Sequence, residues 1–519
     1  MTYLLENGVT CSTLIDDAPK SGLLIDGRDF YCAVYRAMCA ARRSIVIAGW
    51  QFDTSVELLR GEDAAAAGTP AQFLELLCSL CEERPELEIH LLAWEASAAF
   101  TLEREPLQKL RFHLRGHRRV HFRMDNLTPT GGSHHQKLVI VDRSIAFVGG
   151  MDICTSRWDD REHRASDERR TARGKPYPPH HDVHSFITGS AVDALRGWFS
   201  CRWRMATGDE LPARELPREE IPIEPSVAME EVPRIGITQT WPEIEECPVP
   251  QNRELKRLHL DAIASAERLI YIENQYFSCD EIEKAIRHRM ETRAAPPLDI
   301  VVLLPAKSAG FKERISIGVY QAKILQSLAC TASVHGHRFG VYYPAAPGPE
   351  GDVPVFIHAK VLAVDDRLLL VSSANLTNRS MSFDSELGIA WEAPAAHPSI
   401  RTARVELLRE HSGLSRAEAD DAFGEMPGLV DRLDTIARAG NHRLRPHALN
   451  RDELPGRLLA PFLPRDPPLD PDHVEDLLPE PGAGLDRLLR DPVVMTGHAA
   501  RHLGRAVQRM FRRRRATAP

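Results

Sequence analysis

The sequence predicts an α/β protein made of two copies of one unit, and three observations carry that reading. A helical pattern runs into a short strand twice, AMCAARRSI (37–45) into SIVIAGWQF and AIASAERLI (262–270) into LIYIENQYF. A His-x-Lys pair opens an apolar strand pattern twice, in SHHQKLVIVD (133–142) and FIHAKVLAVD (356–365). The copies are offset by 225 residues at Ile45/Ile270 and by 223 at His135/His358. Agreement within two residues marks an internal repeat, and β-type runs alternating with helical ones mark α/β architecture.

The elements follow in order. Residues 1–16 are polar and acidic, where a secretory leader needs a basic start and an apolar core. No apolar run reaches the roughly 20 residues of a membrane span, so the expectation is a cytoplasmic protein, soluble or peripheral to a membrane. The first repeat occupies 1–207, and its second apolar run is IAFVGG (145–150). An acidic, proline-rich stretch at 208–233 lacks periodicity and reads as a linker. The second repeat, 234–416, carries the matching run LLLVSS (368–373). Residues 417–519 change character: dense in proline and acid, then basic, they read as an extension.

Composition excludes some function classes. Over 519 residues the net charge is −8, with 43% apolar and 27% charged residues. This is an ordinary globular balance, and it supplies no global field for nucleic acid; none is expected as partner. Ten cysteines are scattered, and Cys78/Cys81 sit in a leucine-rich helical stretch. That usage fits packing in a reducing compartment.

The chemistry lies in the pattern His-x-Lys-x-x-x-x-Asp, present as His135/Lys137/Asp142 and His358/Lys360/Asp365. With 22 His and 10 Lys in the chain, chance gives about 0.4 His-x-Lys pairs. In an extended strand, residues i and i+2 share a face, so each imidazole projects beside a fixed positive charge. The Asp, an odd number of residues on, faces away and is assigned a supporting place in the catalytic set. Two imidazoles and two lysines suit phosphodiester cleavage: one imidazole attacks phosphorus, the other moves protons, and the lysines stabilise phosphoryl charge. Each imidazole needs a carboxylate to hold its tautomer. Asp182 in HDVHSFITG and Glu386 in DSELGIAWE are the candidates, each downstream of one motif.

The extended motifs, HHQKLVIVDRSIAFVGGMDICTSRWDD (134–160) and IHAKVLAVDDRLLLVSSANLTNRSMSFDSELGIA (357–390), together with IYIENQYF (270–277), DGRDF (26–30) and LLREHSG (407–413), resemble the phospholipase D superfamily, and within it the eukaryotic-type phospholipases D. The resemblance spans roughly residues 20–413. It implies two domains, each a mixed β-sheet flanked by helices, related by a pseudo-twofold with the active site at their junction. It further implies that His135 is the nucleophile, that His358 is the acid/base, and that Asp182 and Glu386 orient them. Asn375, Asp152, Ser373 and Gln275 would contact phosphate or substrate. Ser372 stands where the family has glycine, and Gln239 where relatives often have arginine.

The expected activity is release of the headgroup alcohol from glycerophospholipids, with transfer to an acceptor alcohol as a variant. A cardiolipin-synthase-like phosphatidyltransferase, a nuclease of the same superfamily and a non-catalytic membrane scaffold are the alternatives. No cofactor or metal is expected at the phosphate; Ca²⁺ is expected to stimulate only by bridging anionic lipid aggregates. His180, His181, Asp182 and His184 resemble a metal motif, but strand spacing splits them between faces. Trp158, Tyr276 and Phe277 read either as an acyl entrance or as core. In 498–515, Leu503, Val507, Met510 and Phe511 form an apolar helical stripe beside Arg501, Arg505, Arg509, Arg512, Arg513, Arg514 and Arg515. Such a segment can lie on an anionic phospholipid surface. Headgroup preference and oligomeric state stay open.

Overall fold

The computed structural model describes residues 3–95, 105, 108–129, 131–244, 247–292, 296–307 and 318–448. The basic stripe at 501–515 lies outside them. Two sheets organise the rest. The N-terminal sheet has eight strands, in the order Val227–Ala228, Ser21–Ile25, Val183–Ile187, Ile145–Gly149, Leu138–Val141, Ser44–Gly49, Glu88–Trp94 and Val120–Asp125. Its last seven have counterparts, in the same order, in the C-terminal sheet: Arg234–Trp241, Glu386–Glu392, Leu368–Ser372, Val361–Val364, Leu269–Glu273, Asp299–Leu303 and Arg338–Ala346. Pairing sense repeats as well. Ser44–Gly49 is parallel to Glu88–Trp94 and antiparallel to Leu138–Val141, and Leu269–Glu273 is parallel to Asp299–Leu303 and antiparallel to Val361–Val364.

These central strands are largely apolar because both of their faces are covered. Val46 and Ala48 point into a core shared by the two sheets, while Ile45 and Ile47 point out to a second core under the helices Asp26–Ala40 and Phe73–Glu83. In the other repeat, Tyr271 faces the shared core and Ile270 and Ile272 face away. The helices Ser190–Thr207 and Pro398–Ser412 contribute Leu195, Phe199, Trp203, Ile400 and Leu407 to the shared core. The repeats are therefore joined through a hydrophobic core as well as through chain connectivity.

The sheets also exchange edge strands, and this moves the boundaries read from sequence. Thr13–Ile15 pairs with Arg234–Trp241 of the C-terminal sheet, and Val227–Ala228 pairs with Ser21–Ile25 of the N-terminal sheet. Thr13–Ile15 satisfies open backbone groups at the other repeat's edge, and Val227–Ala228, from the linker stretch, does so for the N-terminal sheet. The intervening linker lies against the N-terminal repeat: Arg143 N donates to Pro217 O (3.0 Å) and Glu219 N to Ser144 Oγ (2.9 Å). The extension expected from 417 is, as far as 448, part of the C-terminal repeat. A capping box at Ser415/Glu418 starts the helix Arg416–Phe423, Leu429–Ala439 follows, and Leu444–Pro446 pairs with Arg338–Ala346. Phe423, Leu429 and Leu433 enter the shared core. Among the described residues, no helix is long and apolar enough to cross a membrane.

Candidate active site

Each His-x-Lys segment lies just before its strand and reaches it through a short ladder with the other repeat. His135 N donates to Ser385 O (3.0 Å), and Ser385 N to Ser133 O (3.0 Å). In the second copy, His180–His181 runs parallel to Phe356–Ile357, and His358 N donates to His181 O (2.8 Å). Glu386 and Asp182 are the next residues along these partner strands. The carboxylates are consequently exchanged: His135 Nδ1 lies 2.9 Å from Glu386 Oε2, and His358 Nδ1 lies 2.6 Å from Asp182 Oδ2. With Nδ1 engaged, Nε2 of each imidazole is left for substrate.

The lysines differ in their partners. Lys137 Nζ is 3.0 Å from Asp152 Oδ2, and Asp152 Oδ1 accepts from Trp50 N (2.8 Å). Lys360 Nζ donates to Gln275 Oε1 (3.3 Å) and to the carbonyl of His358. Asn375, the repeat counterpart of Asp152, keeps a buried Oδ1 without a hydrogen bond. Ser373 donates to Glu386 and accepts from Leu387 N (3.1 Å), so it holds the carboxylate.

The motif aspartates lie at the far ends of their strands, away from the imidazoles. Asp142 accepts from the backbone N–H of Arg42, Arg43 and Ser44, and Asp365 from those of Glu267, Arg268 and Leu269. Both adopt positive φ, 51° and 53°, where strand turns into hairpin. Each clamps the helix-to-strand passage of its own repeat.

The phospholipase D family model matches residues 37–235, and that of the cardiolipin synthase, PLD-like domain matches residues 259–403. Phospholipase D alpha 1 of Nicotiana tabacum is 24% identical over 564 aligned residues, spanning 82% of this chain and 68% of that one. Phospholipase D alpha 4 of Arabidopsis thaliana is 25% identical over 529, with the same coverage. The crystal structure of phosphatidylserine synthase from Haemophilus influenzae shares the fold, with TM-score 0.50 at 13% identity over 82% of this chain and 95% of that one. The chain belongs to the phospholipase D superfamily and is of the eukaryotic type.

Within this phospholipase D fold, burial and the lysines set the protonation states. Burial, then Lys137 and Lys360, hold the His135 imidazole down at about 3. Burial, then Lys360 and Arg157, hold His358 well below its ordinary value. Glu386 is pushed up to about 8 by burial and by Asp384. Lys360 is lowered to about 7, chiefly by burial. The free site thus favours neutral imidazoles.

Two residues of the site were not assigned from sequence. Arg157 is half-buried, and its charge acts on His358 and Lys360; its one signal in the sequence is its place in the SRWDD extension, beside Trp158. His180, weighed only as a metal ligand, packs its ring 5.5 Å from that of His358 and stacks on Phe356. Trp158 and Phe277 are fully buried in the core and line no entrance. Gln239 lines a separate cavity with Trp198, Arg202, Trp241 and Glu254.

Proposed function

We propose that this chain is a phospholipase D that hydrolyses the distal phosphodiester of phosphatidylcholine-like glycerophospholipids. The supporting observation is the pair of imidazoles, each oriented by the opposite repeat's carboxylate and each beside a lysine. His135 Nε2 attacks phosphorus, the bond to the headgroup oxygen breaks, and protonated His358 gives its proton to the departing alcohol. The phosphate's own negative charge offsets Lys137 and Lys360, which lets His358 carry that proton in the complex. Neutral His358 then takes a proton from water, whose oxygen attacks phosphorus. The P–N bond breaks, releasing phosphatidic acid and His135. An alcohol in place of water gives the transferred phosphatidyl product. The lysines and Arg157 stabilise the equatorial oxygens, the work a metal ion does in other phosphodiesterases.

The test is product analysis on vesicles of defined phospholipid, with and without a primary alcohol. Phosphatidic acid and free headgroup are expected, with phosphatidyl-alcohol appearing when the alcohol is added. Product formed only with an alcohol acceptor would make the chain a phosphatidyltransferase. Cleavage of a nucleic acid with no headgroup release would make it a nuclease. The phospholipid surface is the proposed partner, with residues 498–519 as a contact.

A further inference from the structure

Behind the active site lies a polar cluster that the phosphodiesterase chemistry does not use. Asp26, His163 and His181 of the N-terminal repeat and Glu410 of the C-terminal repeat converge there, all of them fully enclosed. His181 Nδ1 lies 2.7 Å from Glu410 Oε1 and 2.9 Å from Asp26 Oδ1. His163 Nε2 lies 3.1 Å from Glu410 Oε1 and 3.3 Å from Asp26 Oδ2. We propose that these four side chains bind one divalent transition-metal ion, zinc by donor chemistry, which clamps the two repeats together behind Asp182.

Three features argue for an ion. The first is the donor set of two imidazole nitrogens and two carboxylate oxygens, which suits zinc. Tetrahedral bonds of about 2.0–2.2 Å put ligand atoms about 3.3–3.5 Å apart; the His163 contacts, 3.1 and 3.3 Å, lie near that spacing, while the His181 contacts, 2.7 and 2.9 Å, are shorter and would have to open by about half an ångström or more around an ion.

The second is the outer shell. His163 Nδ1 pairs with Asp159 Oδ2 (2.9 Å) and His181 Nε2 with Glu273 Oε2 (2.9 Å). Each imidazole therefore turns its other nitrogen inward, as metal-bound histidines do when a carboxylate holds the far side of the ring. Those outer carboxylates are held in turn, Asp159 by Arg170 Nη1 (3.0 Å) and Glu273 by His411 Nε2 (2.9 Å). Arg161 Nε takes Glu410 Oε2 (2.7 Å), leaving Oε1 for the centre.

The third is that two of the inward atoms have no hydrogen bond, although His163 Nε2 bonds Glu410 Oε1 (3.1 Å). Asp26 Oδ2 and His181 Nδ1 are buried and make no hydrogen bond, although Nδ1 has two carboxylate oxygens within 2.9 Å. An ion between them satisfies both. The alternative is a metal-free cluster in which protonated histidines balance the two carboxylates.

The ion would be a positioning element. His181 immediately precedes Asp182, Asp26 N donates to Asp182 O (2.8 Å), and Asp182 N approaches Asp26 Oδ1 (3.3 Å). The clamp thus fixes the carboxylate that orients His358, without touching the phosphate.

The full chain, produced without a polyhistidine tag and dialysed against Zn²⁺ and then buffer, should carry one zinc per chain by elemental analysis. Replacement by Co²⁺ should give the intense visible bands of a tetrahedral site. His163→Gln and Glu410→Gln should lose the metal, and stripped wild-type protein should unfold at lower temperature until Zn²⁺ is restored. Folded wild-type protein holding under a tenth of an equivalent would overturn the proposal, as would full zinc content in both variants. The wild-type measurement does not depend on any variant folding.

Discussion

In the N-terminal half-site, Lys137 faces a carboxylate, Asp152, at 3.0 Å; in the C-terminal half-site, Lys360 faces the amide of Gln275 at 3.3 Å, and the counterpart of Asp152 is Asn375. Seven strands, their order and the aspartate clamps are repeated, but the charge around the lysines is not. One lysine is paired with a carboxylate before substrate arrives; the other hydrogen-bonds only neutral groups, and burial lowers its pKa to about 7. A duplicated scaffold can therefore supply two imidazoles in matching geometry while dividing the labour between them.

The most severe break of this comparison removes an imidazole. His135→Ala and His358→Ala should each lower turnover by at least about 10⁴-fold, as loss of a nucleophile or of its proton partner does. Only His358→Ala should accumulate phosphohistidine on a diester with a good leaving group, visible by rapid-quench labelling. Label on His358 in the His135→Ala variant would reverse the roles.

The exchanged carboxylates offer a sharper test. Asp182→Asn should behave as a lesion of His358 and Glu386→Gln as one of His135, each costing about 10²–10⁴-fold in kcat. Asp182→Asn should then be rescued by a leaving group that needs no proton, and Glu386→Gln should not. The opposite pattern of rescue would mean that the carboxylates serve the imidazoles of their own repeats.

This exchange was not legible in the sequence. His135 and Glu386 are 251 positions apart, and His358 and Asp182 are 176 apart. Only the ladder between the repeats decides the pairing. The His-x-Lys motifs were legible because their chemistry is confined to a two-residue spacing on extended backbone. The aspartates betrayed themselves by an odd spacing, but not their three backbone N–H partners. Edge exchange by Thr13–Ile15 left no local signal, since any short apolar strand can pair at either edge. Trp158 shows the same limit: an aromatic residue beside Arg157 suits an entrance or a core, and burial decided for the core.

Charge asymmetry predicts a pH effect of intermediate size. A lysine is charged below its pKa, so kcat/KM should fall as pH rises through about 7, where Lys360 loses its proton in the free enzyme. Asn375→Asp would copy the N-terminal arrangement, placing a carboxylate beside Lys360. That should move the alkaline limb up by about one unit and raise KM for an anionic diester several-fold. An unmoved limb would show that the titration belongs to another group.

The smallest expected effect on catalysis comes from the residues most alike in the two repeats. Asp142→Ala and Asp365→Ala each leave three backbone N–H groups without their acceptor, of which those of Ser44 and Leu269 are buried. An unsatisfied buried donor costs about 1–3 kcal/mol, so each variant should lose about that much stability or somewhat more. Both positions have positive φ, which alanine tolerates less well than aspartate, adding to the loss. The two losses should match within about 1 kcal/mol if the clamps are equivalent. Denaturant melts would measure this directly, and kcat per folded molecule at low temperature should stay within a few-fold of the parent. A loss of kcat as deep as that of the imidazole variants, in protein shown to be folded, would move these aspartates from scaffold to chemistry.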